Sequence, residues 1–120
     1  MKDEVRSDIA FIAGRIISNR NAGALFDYSQ GRYINFAGQI SNNNVSVFDY
    51  ARSCYVAGAG QNGLYSLYDF GSGSHIQLRI SGNNFSGYDY LTSSHFTGSV
   101  HGNSISLYDY ERGAYFPYSL

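Results

Sequence analysis

The chain has no tryptophan, and only one cysteine, one proline and one methionine among its 120 residues. A single cysteine, Cys54, excludes an internal disulfide. A single proline, Pro117, leaves nearly every backbone N–H free to join a sheet ladder. Charge is scarce too: charged residues make up 14%, where an ordinary soluble domain has about 25%. Eight basic and nine acidic residues give a net charge of −1. The basic excess that supplies a nucleic-acid binder with its phosphate affinity is missing, so no nucleic-acid partner is expected. No apolar run reaches the roughly 18 residues of a membrane-spanning helix, and no membrane association is expected. The opening MKDEVRSD is charged and has no apolar leader core behind it. With no disulfide to protect, the expectation is a cytoplasmic protein.

What the chain does have is 12 Tyr, 8 Phe and 14 Gly, with Asn and Ser scattered between short apolar runs. That combination reads as short strands joined by tight turns. The exception is the N-terminal segment. From Asp3 to about Asn19, Val5, Ile9, Ile12 and Ile16 recur at helical spacing, widened by Ala13 and Ile17. Acidic Asp3, Glu4 and Asp8 lie near its start and Arg15 and Arg20 near its end, which suits a helix dipole. Phe11 falls off the apolar stripe. A strand over Ile9–Ile17 competes, because Ala13-Gly14-Arg15-Ile16 echoes Ala37-Gly38-Gln39-Ile40; helix is the stronger reading.

Five aspartates, Asp27, Asp49, Asp69, Asp89 and Asp109, are each flanked by two aromatic residues, at spacings of 22, 20, 20 and 20. Five such triplets in register mark an internal repeat of about twenty residues. Copies 55–74, 75–94 and 95–114 align without gaps, whereas 33–54 carries two extra residues, assigned to Asn42-Asn43-Asn44. Each copy holds two strand-like runs and two turn signals, one at Gly82-Asn83 or Gly102-Asn103 and one at sequences such as Gly71-Ser72-Gly73-Ser74. Residues 1–21 thus form a helix and 22–120 a β-hairpin array, together one domain with about ten strands.

Strand alternation sorts the repeat into two faces. Phe96, Gly98, Val100, Ile105, Leu107 and Asp109 share the apolar face, as do Ile76, Leu78, Ile80, Phe85, Gly87 and Asp89. Ten strands laid flat would span nearly 50 Å, and a helix about 25 Å long covers only part of such a face. The antiparallel meander must therefore curl into a barrel or sandwich, with the helix plugging an end or lying on one flank. Gly38, Gly58 and Gly98 would ease the bending. The alternative is a helix-capped β-solenoid with one coil per repeat. It would stack the aspartates about 4.8 Å apart as a like-charge ladder, which favours the meander.

The stretch Leu25-Phe26-Asp27-Tyr28-Ser29-Gln30-Gly31-Arg32-Tyr33 resembles the tyrosine-aspartate repeats of large bacterial toxin-encapsulating shells. The period is also similar to that of the hairpin repeats in bacterial cell-wall-binding modules. The shell repeats place their glycine one residue nearer the aspartate, in far longer chains, and the wall-binding repeats depend on tryptophan. Both resemblances imply shared hairpin chemistry, and neither transfers a functional residue.

No catalytic constellation stands out: there is no nucleophile elbow, phosphate loop, dinucleotide fingerprint or zinc spacing, and no metal or cofactor is expected. The repeated aspartates are expected to accept turn N–H groups, as Asx motifs do. Cys54 has no base partner in the pattern, and His95 and His101 would lie about 20 Å apart along one strand, too far to share a metal. The candidate site is the row of rings on the polar face near one rim. It comprises Tyr28, Tyr33, Tyr50, Tyr55, His75, Tyr90, His95, Tyr110 and Tyr115, with Phe70 in the same register and Phe48, Tyr68, Tyr88 and Tyr108 alongside. Such rings suit a sugar or a protein partner, because each offers apolar area with a polar edge. They also suit plain cross-strand stabilisation. The expectations are a non-enzymatic interaction module for a protein or glycan, with two alternatives: a structural protein self-assembling through its terminal edge strands, or a small-ligand carrier.

Overall fold

The computed structural model describes all 120 residues, Met1–Leu120. Helix α1 (Asp3–Ser18) leads into β1 (Ala24–Asp27), β2 (Arg32–Ile40), β3 (Asn44–Asp49), β4 (Cys54–Gln61) and β5 (Leu64–Asp69). These continue as β6 (Ser74–Ser81), β7 (Asn84–Asp89), β8 (Ser94–His101), β9 (Ser104–Asp109) and β10 (Ala114–Ser119). Every strand pairs antiparallel with its sequence neighbours, and β10 pairs with β1, which closes a ten-stranded meander barrel. The molecule measures 30 × 29 × 29 Å, far short of a flat sheet's width. The meander expectation holds over the solenoid. Because β1 and β10 pair with each other, the edges through which copies were expected to join are occupied within one chain.

The two turn types alternate around the barrel. Asn62-Gly63 has both residues at positive φ, while at Gly82-Asn83 and Gly102-Asn103 only the glycine does. Both are the primed geometries whose twist matches the strands. At the opposite rim the aspartate closes a four-residue loop whose last member has positive φ: Gly31, Ser53, Gly73, Ser93 or Gly113. Each aspartate does what an Asx residue does there, accepting the N–H two residues on at 2.8–3.1 Å.

The two extra residues of the second copy are not in the Asn42–Asn44 turn, where the sequence alignment had assigned them. Ser41 and Asn44 close an ordinary two-residue hairpin, with Ser41 N–H donating to Asn44 O at 2.8 Å. The insertion lies within β2. Ile34, seven residues after Asp27, pairs with Leu25 of β1, but Phe36 takes the place opposite Asp49 that Val56, Ile76 and Phe96 take opposite their aspartates. A step of two residues keeps every side chain on its own face, so the strand tolerates it where a step of one would turn the core outward.

The expected apolar face is indeed the interior. Ile76, Leu78, Phe85, Phe96, Val100, Ile105 and Leu107 are buried, although Ile80 is only half-buried. The placement of α1 corrects the sequence expectation. The helix neither plugs an end nor lies on a flank: it runs up the middle, and every residue from Val5 to Gly14 is buried. It touches strands all round the wall, from β1, β2 and β3 to β6, β8 and β9. The reason is geometric. Ten strands about 4.8 Å apart, tilted about 40°, wrap a tube of radius roughly 10 Å. That matches the 8–10 Å at which a helix axis packs on a neighbouring layer. Closing the meander therefore leaves a channel one helix wide. Phe11, off the expected stripe, stacks on Phe36 of the wall with ring centroids 4.1 Å apart. Gly14 lets the wall come close, since a Cβ there would sit 2.4 Å from Ile105 Cδ1. Asn19 ends the helix with φ 56°, its N–H donating to Arg15 O.

Candidate functional site

The polar end of α1 meets the aspartate rim. Arg52, from the loop after β3, is the hub there. Its guanidinium donates to Asp69 at 3.0 and 3.1 Å, to Asp49 at 3.3 Å and to Asp8 of the helix. Arg6 reaches Asp109 at 3.0 Å and lies 3.5 Å from the centroid of the Phe116 ring. Burial, reinforced by the neighbouring Asp49, pushes the Asp8 carboxyl well above its ordinary range, although Arg52 pulls the other way. Its Oδ1 is buried without a hydrogen-bond partner. Arg52 loses solvent but, held by Asp69 and Asp8, keeps its proton more firmly than usual. The guanidinium fills the space a cation would need between these carboxylates. No group of His, Cys, Asp and Glu in the structure is arranged to hold a metal. Burial also pushes the Cys54 thiol up, away from the reactive thiolate.

Sequence reasoning missed this network. Arg52 stands where the other copies have Gln30, Ser72, Thr92 and Arg112, so its place in the repeat did not single it out. Arg6 and Asp8, the charged residues of the buried stretch from Val5 to Gly14, were the other half of the network.

Outside the same rim sit the rings. The row expected from sequence is resolved into five separate triads, one per aspartate. Phe26 is braced by Tyr28 and Tyr33, Phe48 by Tyr50 and Tyr55, and Tyr68 by Phe70 and His75. Tyr88 is braced by Tyr90 and His95, and Tyr108 by Tyr110 and Tyr115. All of these contacts are edge-to-face, at 4.7–5.2 Å and 64–80°. The central ring is half-buried and its flankers are exposed, from 48% at Tyr55 to 71% at Tyr33 and Tyr115. Each of Tyr28, Tyr33, Tyr50, Tyr55, His75, Tyr90, His95, Tyr110 and Tyr115 is thus on the surface, at the register position its sequence implied. Edge-to-face packing holds a flanking ring's direction while leaving its outer face to solvent.

Below the belt the outer wall is polar. On β6 to β9 it presents Gln77, Arg79, Ser86, Thr97, Ser99 and Ser106. A groove of about 420 Å³ runs along it, lined among others by Gln77, Arg79, Ser86, Tyr88, His95 and Tyr110. It continues into a second depression of about 400 Å³ that shares Arg79, Ser86 and Thr97. Both are within the range of ligand sites. The barrel interior offers no such space, being occupied by α1 and the apolar side chains around it.

The chain matches no family model, no curated protein and no solved structure. No helix is long and apolar enough to cross a membrane.

Proposed function

We propose that this chain is a non-enzymatic binding module that holds a glycan against the aromatic belt and the polar wall below it. The observation that carries the proposal is the pairing of exposed, orientation-braced rings with a hydroxyl- and amide-bearing wall. A sugar has apolar faces that stack on rings and hydroxyls that exchange hydrogen bonds with Ser, Thr and Gln. Rings already held by a central partner lose little freedom on binding. Stabilisation of the sheet accounts for the central rings but leaves the exposed faces of ten flankers unused. A carrier with its ligand inside the barrel has no room beside α1.

The test is a paired one. Tyr90→Ala with Tyr110→Ala should lower stability by only about a kilocalorie through lost cross-strand packing, yet abolish retention on a glycan array. Leu107→Ala, inside the barrel, should cost about 2–5 kcal/mol and leave the folded fraction binding. Absence of any glycan binding by the unaltered chain overturns the proposal, as does capture of a protein partner alone. So does unfolding of the tyrosine variant as severe as that of Leu107→Ala.

A further inference from the structure

We infer that the groove on β6 to β9 selects glycans bearing a carboxylate, with Arg79 as the group that reads the acid; this rests on the glycan reading above. The inference starts from where the negative charges are. Asp3, Glu4 and Asp8 belong to α1, the five repeat aspartates point into the barrel, and Glu111 lies in a rim turn. That accounts for all nine acidic residues of the chain. The outward face of the strands therefore carries no carboxylate at all.

Against that background Arg79 stands alone. It projects from the middle of β6, is exposed, and makes no ion pair or side-chain hydrogen bond within the protein. Arg6 and Arg52, which face the aspartate rim, are ion-paired there, whereas no acid lies on the face that Arg79 occupies. It borders the groove, among hydroxyls and rings. Arg79 pairs across the sheet with Ser86, and Ser86 with Thr97, forming one hydroxyl-bearing rung. The next outward rung toward the aspartate rim is Gln77, Tyr88 and His95, with Tyr88 and His95 rings 4.8 Å apart. Two residues along a strand separate the rungs by about 6.6 Å, the scale of one sugar ring. A sugar ring seated against the exposed His95 ring, which Tyr88 braces, would thus hold an exocyclic carboxylate over the Arg79 fork, which pairs with carboxylates through two parallel N–H···O bonds. A protein partner of the same charge would need to match a concave, hydroxyl-lined groove, which a sugar acid does with fewer constraints.

The experiment uses matched probes that differ only in charge: oligogalacturonate against its fully methyl-esterified form, and sialyllactose against lactose, titrated calorimetrically into the full chain. The expected result is a preference of about tenfold or more for at least one acidic member over its neutral partner, weakening as salt rises. Arg79→Gln should erase that preference while keeping weak binding of the neutral member, and Arg79→Lys should keep part of it. The denaturation midpoint of both variants should match the parent, since Arg79 is exposed. Equal binding of both members of each pair, or an acid preference that survives Arg79→Gln, overturns the inference and leaves the glycan reading standing. Failure of every acidic and neutral probe to bind overturns both.

Discussion

Gly31, Ser53, Gly73, Ser93 and Gly113 occupy one place in successive rim loops, and all five have φ between 53° and 70°. Three are glycine and bear this at no cost, whereas a left-handed serine costs about 1–2 kcal/mol. Part of that would be returned as chain entropy on replacement by glycine. Ser53→Gly and Ser93→Gly should therefore each stabilise the protein by up to about 1 kcal/mol, read as a rise in denaturation midpoint; a fall would show that these loops are not equivalent. The five aspartates give a second internal comparison. Asp89 serves only its turn, accepting from Leu91 N–H at 3.0 Å and Thr92 Oγ1 at 3.1 Å. Asp69 serves its turn and also holds Arg52. Asp89→Asn should cost about 1 kcal/mol and Asp69→Asn about 3 kcal/mol, because the latter leaves the guanidinium short of charge in a largely buried place. Equal losses in urea denaturation would mean that Arg52 adds nothing. The turn role of the aspartates was legible in the spacing alone. Their ion pairs were not, because the partners come from a helix and a loop that no repeat pattern connects.

At the scale of elements, the sequence identified α1 but not its position. The 4-3-4 spacing of Val5, Ile9, Ile12 and Ile16 describes a helix with one buried stripe. The unbroken run Ile9-Ala10-Phe11-Ile12-Ala13 describes one buried on every side, and that was the overlooked signal. Phe11→Ala should thus cost about 3–5 kcal/mol, as a core aromatic does, rather than the small amount due an off-stripe residue. The helix also carries a pH dependence. Asp8 is held above its unfolded range by burial first and then by Asp49, so the native state binds its proton more tightly than the unfolded chain does. Its contribution to stability is then present at low pH and is lost as pH rises from the unfolded carboxyl range through the folded value. Asp8→Asn, which keeps an acceptor for Arg52, should remove that loss. Thermal melts across pH should show the variant gaining on the parent as pH rises; a constant difference would mean that Asp8 is ionised at little cost. The β2 insertion shows the complementary limit. A gap can be counted from sequence, but its position depends on pairing on both sides of a strand, which only register reveals.

The whole molecule follows from a count: ten strands enclose a channel one helix wide, and this chain supplies that helix from its own N-terminal segment. The same closure sorts the surface, sending all strand carboxylates inward and leaving the outer wall to hydroxyls, rings and Arg79. The sequence reading reached the two faces and the rings on one of them. It did not reach the grouping of rings into triads, because Tyr28 and Tyr33 lie on opposite sides of a turn and meet only over Phe26. Native-state hydrogen exchange tests the arrangement most directly. A helix enclosed by a closed sheet cannot open unless the barrel opens, so the amides of Ile12 and Ala13 should exchange only through global unfolding, as slowly as those of Leu67 and Leu107 in the wall. Exchange of the helix amides by a local opening of much lower free energy, with the strands still protected, would contradict a helix inside the barrel.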